Sequence, residues 1–220
     1  MPWENIQHKE SFGRKLKKLG KAVWHFVWEE DSILSWIVNV ILAFIIIKFL
    51  VYPGLGFALG TTHPIVAVVS GSMEHDSSFD DWWQLPGCCT SNGCDQKISQ
   101  SEIYAGFGIE KKDFAQFSYE NGFNKGDIMI LFGPKNIAVG DILVFMADNR
   151  ADPIIHRVVG AEEIDGNMFY KTKGDHNCGS ADFEKKVAKE KLIGKAVWRV
   201  PFLGWIKIGF VELLKLVRIV

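Results

Sequence analysis

Ile65-Val66-Ala67-Val68-Val69-Ser70-Gly71-Ser72-Met73-Glu74 joins two signals in one short stretch. An unbroken apolar run rich in β-branched residues reads as a buried strand. Ser70-Gly71-Ser72 then reads as a turn, because glycine tolerates backbone conformations that other residues avoid. A serine at such a strand-to-turn junction can have its hydroxyl held exposed by a rigid base. Ser-Gly-Ser is also an ordinary turn sequence, so Ser72 becomes a candidate nucleophile only if the chain supplies it with a partner.

Downstream, the same local grammar repeats. Asn124-Lys125-Gly126-Asp127-Ile128-Met129-Ile130-Leu131 and Ala138-Val139-Gly140-Asp141-Ile142-Leu143-Val144-Phe145 are each a Gly-Asp turn entering an apolar strand. Pro153-Ile154-Ile155-His156-Arg157-Val158-Val159-Gly160 is a further strand with a histidine and an arginine inside it. Met168 to Lys173 and Gly194 to Pro201 complete a series of short strands between glycine-rich turns, which predicts a mainly β domain.

A serine hydroxyl is scarcely ionised at neutral pH and needs a base within hydrogen-bond reach. His156 sits on a predicted rigid strand and an imidazole suits the task. His63, His75 and His176 are rivals in turn-like polar contexts. The ring's second nitrogen needs an acceptor, which Asp175 or Asp182 can supply. Arg157 reads as a structural ion-pair partner and Met73 as packing beneath the site.

The flanks point to a membrane. Phe12, Leu16, Leu19, Val23 and Phe26 recur at helical spacing among Arg14, Lys15, Lys17, Lys18 and Lys21, the pattern of a basic amphipathic helix over 1–32. From Ile33 to Tyr52 the chain is almost continuously apolar, about the length that crosses a hydrocarbon core of ~30 Å. The preceding lysines place that end in the cytoplasm, and Pro53-Gly54-Leu55-Gly56 is expected to break the helix beyond it. Residues 201–220 are apolar but interrupted by Lys207, Glu212, Lys215 and Arg218, so an in-plane helix is favoured over a second span.

The stretch from Asp76 to Asn124 reads as an insertion, rich in Asp, Ser, Gly and aromatics. Adjacent Trp82 and Trp83 would point opposite ways in an extended segment, one packing and the other resting on lipid; a local core for both is the alternative. Cys88, Cys89 and Cys94 lie on the external side, where disulfides persist. One of the adjacent pair is expected to join Cys94 and the other to reach Cys178. No Cys-x-x-Cys spacing or histidine pair suggests a metal, so none is expected, and no other cofactor either. A formal charge of −1 over 220 residues gives no electrostatic case for nucleic acid.

Val68 to Glu74, the Gly-Asp-Ile strands, Pro153 to Gly160, and Lys173-Gly174-Asp175-His176-Asn177 with Asp182 resemble, in order, the boxes of a type I signal peptidase. The histidine before Arg-Val-Val-Gly matches the archaeal and endoplasmic-reticulum branch, where the bacterial branch has lysine. The resemblance implies a signal-peptidase-like β catalytic domain over 53–200, with the insertion at 76–124, a transmembrane helix at 33–52 and a membrane-associated helix at its C-terminal end. It implies Ser72 as nucleophile, His156 as base and an aspartate as orienter, Asp182 ahead of Asp175. The Ser72 amide and Ser70 hydroxyl would form the oxyanion site. Signal-peptide-bearing precursors, the lipid bilayer and the translocation channel are the implied partners. Two departures stand out: His75 replaces the usual proline after Glu74, and Asp182 falls one residue late for the histidine branch. A non-catalytic tethered binding module and a thiol-redox protein are the rival readings.

Overall fold

A computed structural model describes residues 12–89, 97–148, 150 and 152–216. The chain divides into two compact units, Met1–Gly54 and Leu55–Val220. In the first, α1 (Phe12–Trp28) carries the basic residues among Leu16, Leu19 and Val23. Ser32 caps α2 (Ile33–Ile46), its hydroxyl accepting the Ser35 N–H at 3.1 Å. Ser35 Oγ and Asn39 Nδ2 donate to the Phe26 and Val27 carbonyls at 2.5 and 2.8 Å. These carbonyls belong to the last turn of α1, which has no intrahelical donors left for them. Asn39 thus has a use inside an otherwise apolar run.

The helix does not break at Pro53. A π-helical turn at Ile47–Val51 leads into α3 (Tyr52–Leu59). A proline removes one N–H and crowds the carbonyl four residues back; widening the preceding turn accommodates both. The helix stops instead at Gly60, whose φ is +68°. There the Thr61 and Gly60 N–H groups donate to the Gly56 and Phe57 carbonyls at 3.0 and 3.4 Å, a Schellman cap. Ile33–Leu59, 27 residues, is among the described residues the one helix long and apolar enough to cross a membrane.

In the second unit, β1 (Ile65–Ala67) leads to the serine turn and then the insertion. The insertion holds α4 (Phe79–Gln84), the ribbon of β2 (Pro86–Cys89) and β3 (Lys97–Ser99), α5 (Gln100–Ala105) and α6 (Lys111–Phe114). The chain returns as β4 (Ile128–Phe132), β5 (Ile142–Phe145), β6 (Ile154–Ile164), β7 (Asn167–Lys173), β8 (Val187–Ala188) and β9 (Leu192–Val200), followed by α7 (Trp205–Leu216). Seven strands form one antiparallel sheet in the order β1-β4-β9-β5-β6-β7-β8, curled into a half-barrel. The domain is mainly β, as the strand pattern predicts.

The two Gly-Asp phrases are one device used twice. Gly126 and Gly140 take φ of +91° and +98°. The following carboxylates, Asp127 and Asp141, accept the amides of Asn124 and Ala138 at 3.0 and 2.9 Å, closing each turn before its strand.

Along β6 the side chains alternate. Val158 joins a core with Leu143, Phe145 and Tyr170, while Val159 joins an aromatic core inside the insertion. That second core contains Trp82, Trp83, Tyr104, Ile109 and Phe114. Both tryptophans are buried, at 8% and 4% exposure, so neither rests on lipid. The reason is local: Ser78 caps α4, and neighbours on a helix can both turn inward where neighbours on a strand cannot. Cys88 is bonded to Cys178, closing a sequence separation of 90 residues. The side chain of Cys89, all of Cys94 and Arg218 lie outside the described residues.

Candidate active site

The serine turn leaves the sheet where β1 ends. Val68 still pairs with the Gly126-Asp127 turn: its N–H donates to the Asp127 carbonyl and its carbonyl accepts the Gly126 N–H, both at 2.8 Å. Glu74 N–H then closes the turn on the Gly71 carbonyl at 3.0 Å. Met73 is fully buried beneath it in the core with Val68, Phe123 and Met129. One side chain of the turn is thereby anchored, and Ser72 is displayed beside it.

His156 Nε2 lies 2.9 Å from Ser72 Oγ. The ring is 6% exposed and fixed by its place on β6, opposite Leu143 on β5. Behind it, Nδ1 is in hydrogen-bonded contact with Oε1 of Glu184, itself 1% exposed. Glu184 is held in turn by Thr172 Oγ1 at 3.2 Å and by the Ala181 N–H, which donates to Oε2 at 3.0 Å. With Nδ1–H donating to the Glu184 carboxyl oxygen, Nε2 is left to accept from the serine hydroxyl. Serine, imidazole and carboxylate therefore stand in one hydrogen-bonded line. Ser70 Oγ is 3.3 Å from Ser72 Oγ.

Neither aspartate faces the imidazole. Asp182 is at the surface, its carboxylate paired with Lys185 at 2.7 Å, which holds its pKa below the usual value. Asp175 is fully buried and belongs to a different network. It accepts Tyr104 Oη at 2.8 Å, Arg157 Nε and Nη2 at 2.9 and 2.7 Å, and faces His75 Nε2 at 3.2 Å. Burial alone would raise the Asp175 carboxyl; the Arg157 charge and the bonds from Arg157 and His75 outweigh it and hold the group well below the carboxylate range.

Arg157, also with no exposed surface, places all five donors. Beyond Asp175, its Nη1 reaches the Ser118 and Gly140 carbonyls at 2.8 and 3.0 Å, and Nη2 that of Tyr119 at 2.9 Å. The guanidinium also sits 4.6 Å over the Phe114 ring. Arg157 is thus the structural ion-pair residue the sequence suggests, and Asp175 is its partner. Such a buried pair fixes geometry well and costs much to break on one side.

Lys173 is a further buried titratable group. Desolvation lowers its pKa to about 7, although Asp175 pulls the other way. Its Nζ bonds Gln100 Oε1 at 2.9 Å and the Gly174 and Asp175 carbonyls at 3.0 and 3.1 Å, tying the loop after β7 to α5. Gly174 passes so close to the site that a Cβ there would lie 2.8 Å from both His156 Nε2 and the Ser72 carbonyl. A side chain at that position would push the loop off the serine turn.

Of the rival histidines, His63 bonds Thr62 Oγ1 at 2.9 Å in an exposed setting, and His176 faces Asp76 at 3.4 Å. His75 is buried, stacked on Trp82 with ring centroids 3.6 Å apart. None of these ring contacts involves Ser72; His176 reaches it only through its backbone N–H, which donates to the Ser72 carbonyl at 2.9 Å.

The site opens into a cleft of about 780 Å³, lined by Ala67, Val69, Ser70, Ile154, Ile155 and Phe183 beside the serine and histidine. β1, the edge strand of the sheet, forms one of its walls. The lining is mixed, with Arg150, Asp152 and Asn177 beside the apolar residues; a cleft on an edge strand with a hydrogen-bonded serine suits an extended peptide.

No family model matches the chain. It is similar to the signal peptidase complex catalytic subunit SEC11 of Lachancea thermotolerans, 36% identical over 104 residues, covering 43% of this chain and 62% of that protein. The SEC11 subunit of Candida tropicalis is 35% identical over 98 residues, covering 41% and 59%. The human SEC11C subunit is 32% identical over 99 residues, covering 41% and 52%. The chain thus spans less than two thirds of the length of these relatives. Over the matched part it is similar to signal peptidase catalytic subunits.

Proposed function

We propose that the chain is a membrane-anchored serine endopeptidase that cleaves signal peptides from precursor proteins, with Ser72 as nucleophile, His156 as general base and Glu184 as the orienting carboxylate. The observation that carries this is the line Ser72 Oγ, His156 Nε2 at 2.9 Å, and His156 Nδ1 on a buried Glu184. The homology to signal peptidase catalytic subunits supports the substrate class.

The precursor's cleavage segment lies extended along β1, pairing with its free edge, and its small side chains enter the cleft. Ser72 Oγ attacks the scissile carbonyl carbon as its proton passes to His156 Nε2. The oxyanion is met by the Ser72 amide and the Ser70 hydroxyl; losing one such donor typically costs about 2.7–4 kcal/mol. Collapse of the tetrahedral species breaks the C–N bond, and His156 returns the proton to the leaving amine. Water, deprotonated by the same imidazole, then releases the signal peptide from Ser72 as a carboxylate.

The apolar helix Ile33–Leu59 is the anchor. The lysines of α1 put the preceding end in the cytoplasm, and the Cys88–Cys178 disulfide fits an oxidising, extracytoplasmic side for the unit that holds Ser72. Residues 1–32 are then the cytoplasmic segment, the stretch from the end of the anchor helix to residue 200 the catalytic domain and 201–220 a lipid-associated end, with the translocation channel as the source of substrate.

The test is precursor processing by the full chain in lipid. Ser72→Ala and His156→Ala are each expected to lower the rate on the order of 10⁴-fold or more, with an unchanged unfolding midpoint. Undiminished processing by either folded variant would sink the assignment.

A further inference from the structure

A second cleft, of about 840 Å³, lies between the insertion and the loop that follows β7. Asn177, Ala181 and Glu184 line both clefts, so the two adjoin beside His156. Their order along the chain gives a direction. The first cleft takes its walls from Ala67, Val69, Ser70, Ile154 and Ile155, the residues that precede Ser72 and His156 on their segments. The second begins at Asp76 and Ser77, just past the serine turn. A peptide running along β1 and through Ser72 continues into it.

The chemistry of this second cleft differs from that of the first. Its apolar wall includes Leu85 and Pro86, and Leu85 is 60% exposed. Three carboxylates line it, the exposed Asp76 and Asp81 and the buried Glu184, and among the described residues no lysine or arginine does. The one basic side chain there, His176, is 3.4 Å from Asp76. An aliphatic wall beside exposed carboxylates fits the stem and head of a lysine or arginine. The cleft is also held at a fixed width. The Cys88–Cys178 disulfide joins its two walls, and Gln100 Nε2 donates across them to the Asn177 carbonyl at 3.4 Å.

We propose that this cleft receives the substrate residues just downstream of the scissile bond and selects for a cationic side chain among them. The proposal rests on the peptidase reading above and assigns the insertion a part in specificity.

The experiment uses the full chain in lipid and a set of precursors that differ only in carrying Lys, Gln or Glu at each of the first few positions after the scissile bond. At low ionic strength kcat/KM is expected to favour Lys over Glu by about three- to fivefold at one of these positions, the size that exposed charge pairs support. That ratio should fall toward one in concentrated salt and in the Asp76→Asn/Asp81→Asn double variant. Asp76→Lys alone should reverse it, and decides the matter if the double variant does not fold. Folding of each variant is read from its unfolding midpoint and from labelling of Ser72 by a serine-directed phosphonate. A wild-type ratio near one at every position, or the wild-type ratio persisting in the folded variants, overturns the proposal. Ser72→Ala run in parallel separates the two levels. Cleavage that survives it removes the peptidase reading, whereas cleavage that depends on Ser72 but ignores charge removes only the assignment of the cleft.

Discussion

Asp182 and Glu184 sit two positions apart on one 3₁₀ turn, yet the first is paired with Lys185 at the surface and the second is buried behind the imidazole. With about three residues per turn, positions two apart point in widely separated directions. A one-residue change in where the turn begins therefore exchanges which carboxylate faces inward. This is why the sequence directs attention to the aspartates: spacing along the chain is visible there, the rotation of a short turn is not. The buried carboxylate needs partners, and Thr172, the Ala181 amide and His156 supply them. Glu184→Gln keeps the size and an acceptor but removes the charge that stabilises an imidazolium, so processing should fall on the order of 10²-fold or more. Asp182→Asn loses only an exposed ion pair and should change the rate and the unfolding midpoint very little. Equal rates for the two variants, measured on the same precursor in lipid, would remove Glu184 from the proposed line.

At the level of elements, the strands around the site were readable because each is a local signal: a Gly-Asp turn, then alternating or continuous apolar residues. Ser72 and His156 were readable for the same reason, each lying inside a strand-and-turn phrase. The insertion was not. Its aromatic core depends on Tyr104, Phe114 and the two tryptophans meeting from separate short helices, and no period in the sequence announces that. Nor does spacing say which cysteine of an adjacent pair turns toward Cys178. The disulfide that results ties the insertion to the loop between Gly174 and Glu184, the loop that positions the carboxylate. Replacing both partners, Cys88→Ser with Cys178→Ser, should cost about 2–4 kcal/mol, the usual worth of such a cross-link. Processing should fall further than this loss of stability explains, because Glu184 is then less firmly placed. A reductant should lower the wild-type midpoint toward that of the double variant and leave the variant where it was. Wild type whose thiols are demonstrably free, yet which melts and processes as before, would show that the staple holds nothing the site needs.

For the whole molecule, the buried apolar residues are unevenly distributed along the chain. All three hydrophobic clusters are drawn from residues between Val66 and Ala196, within the unit that begins at Leu55. That unit contains the serine line, both clefts and the disulfide. Its far end is different. Ile206, Phe210 and Leu213, at spacings of four and three residues on α7, are 72%, 60% and 58% exposed. The start of α7 is nevertheless tied to the sheet: the Gly204 N–H donates to the Gly126 carbonyl at 2.8 Å, and the Phe202 N–H to Asp127 Oδ1 at 3.1 Å. This apolar face with a fixed root is what the proposed lipid-associated end would present to a bilayer, since each such side chain gains roughly 1.5–3 kcal/mol when fully removed from water. Residues 55–220 expressed alone in mild detergent should fold, label at Ser72 with a phosphonate, and sediment with lipid vesicles once the detergent is removed. Ile206→Ser/Phe210→Ser/Leu213→Ser in the same fragment should keep the unfolding midpoint within a few degrees and stay in the supernatant, because the exchanged side chains are mostly exposed. A fragment that is unfolded without residues 1–54 would show that the two units depend on each other. A triple variant that still sediments would place the lipid contact elsewhere on the domain.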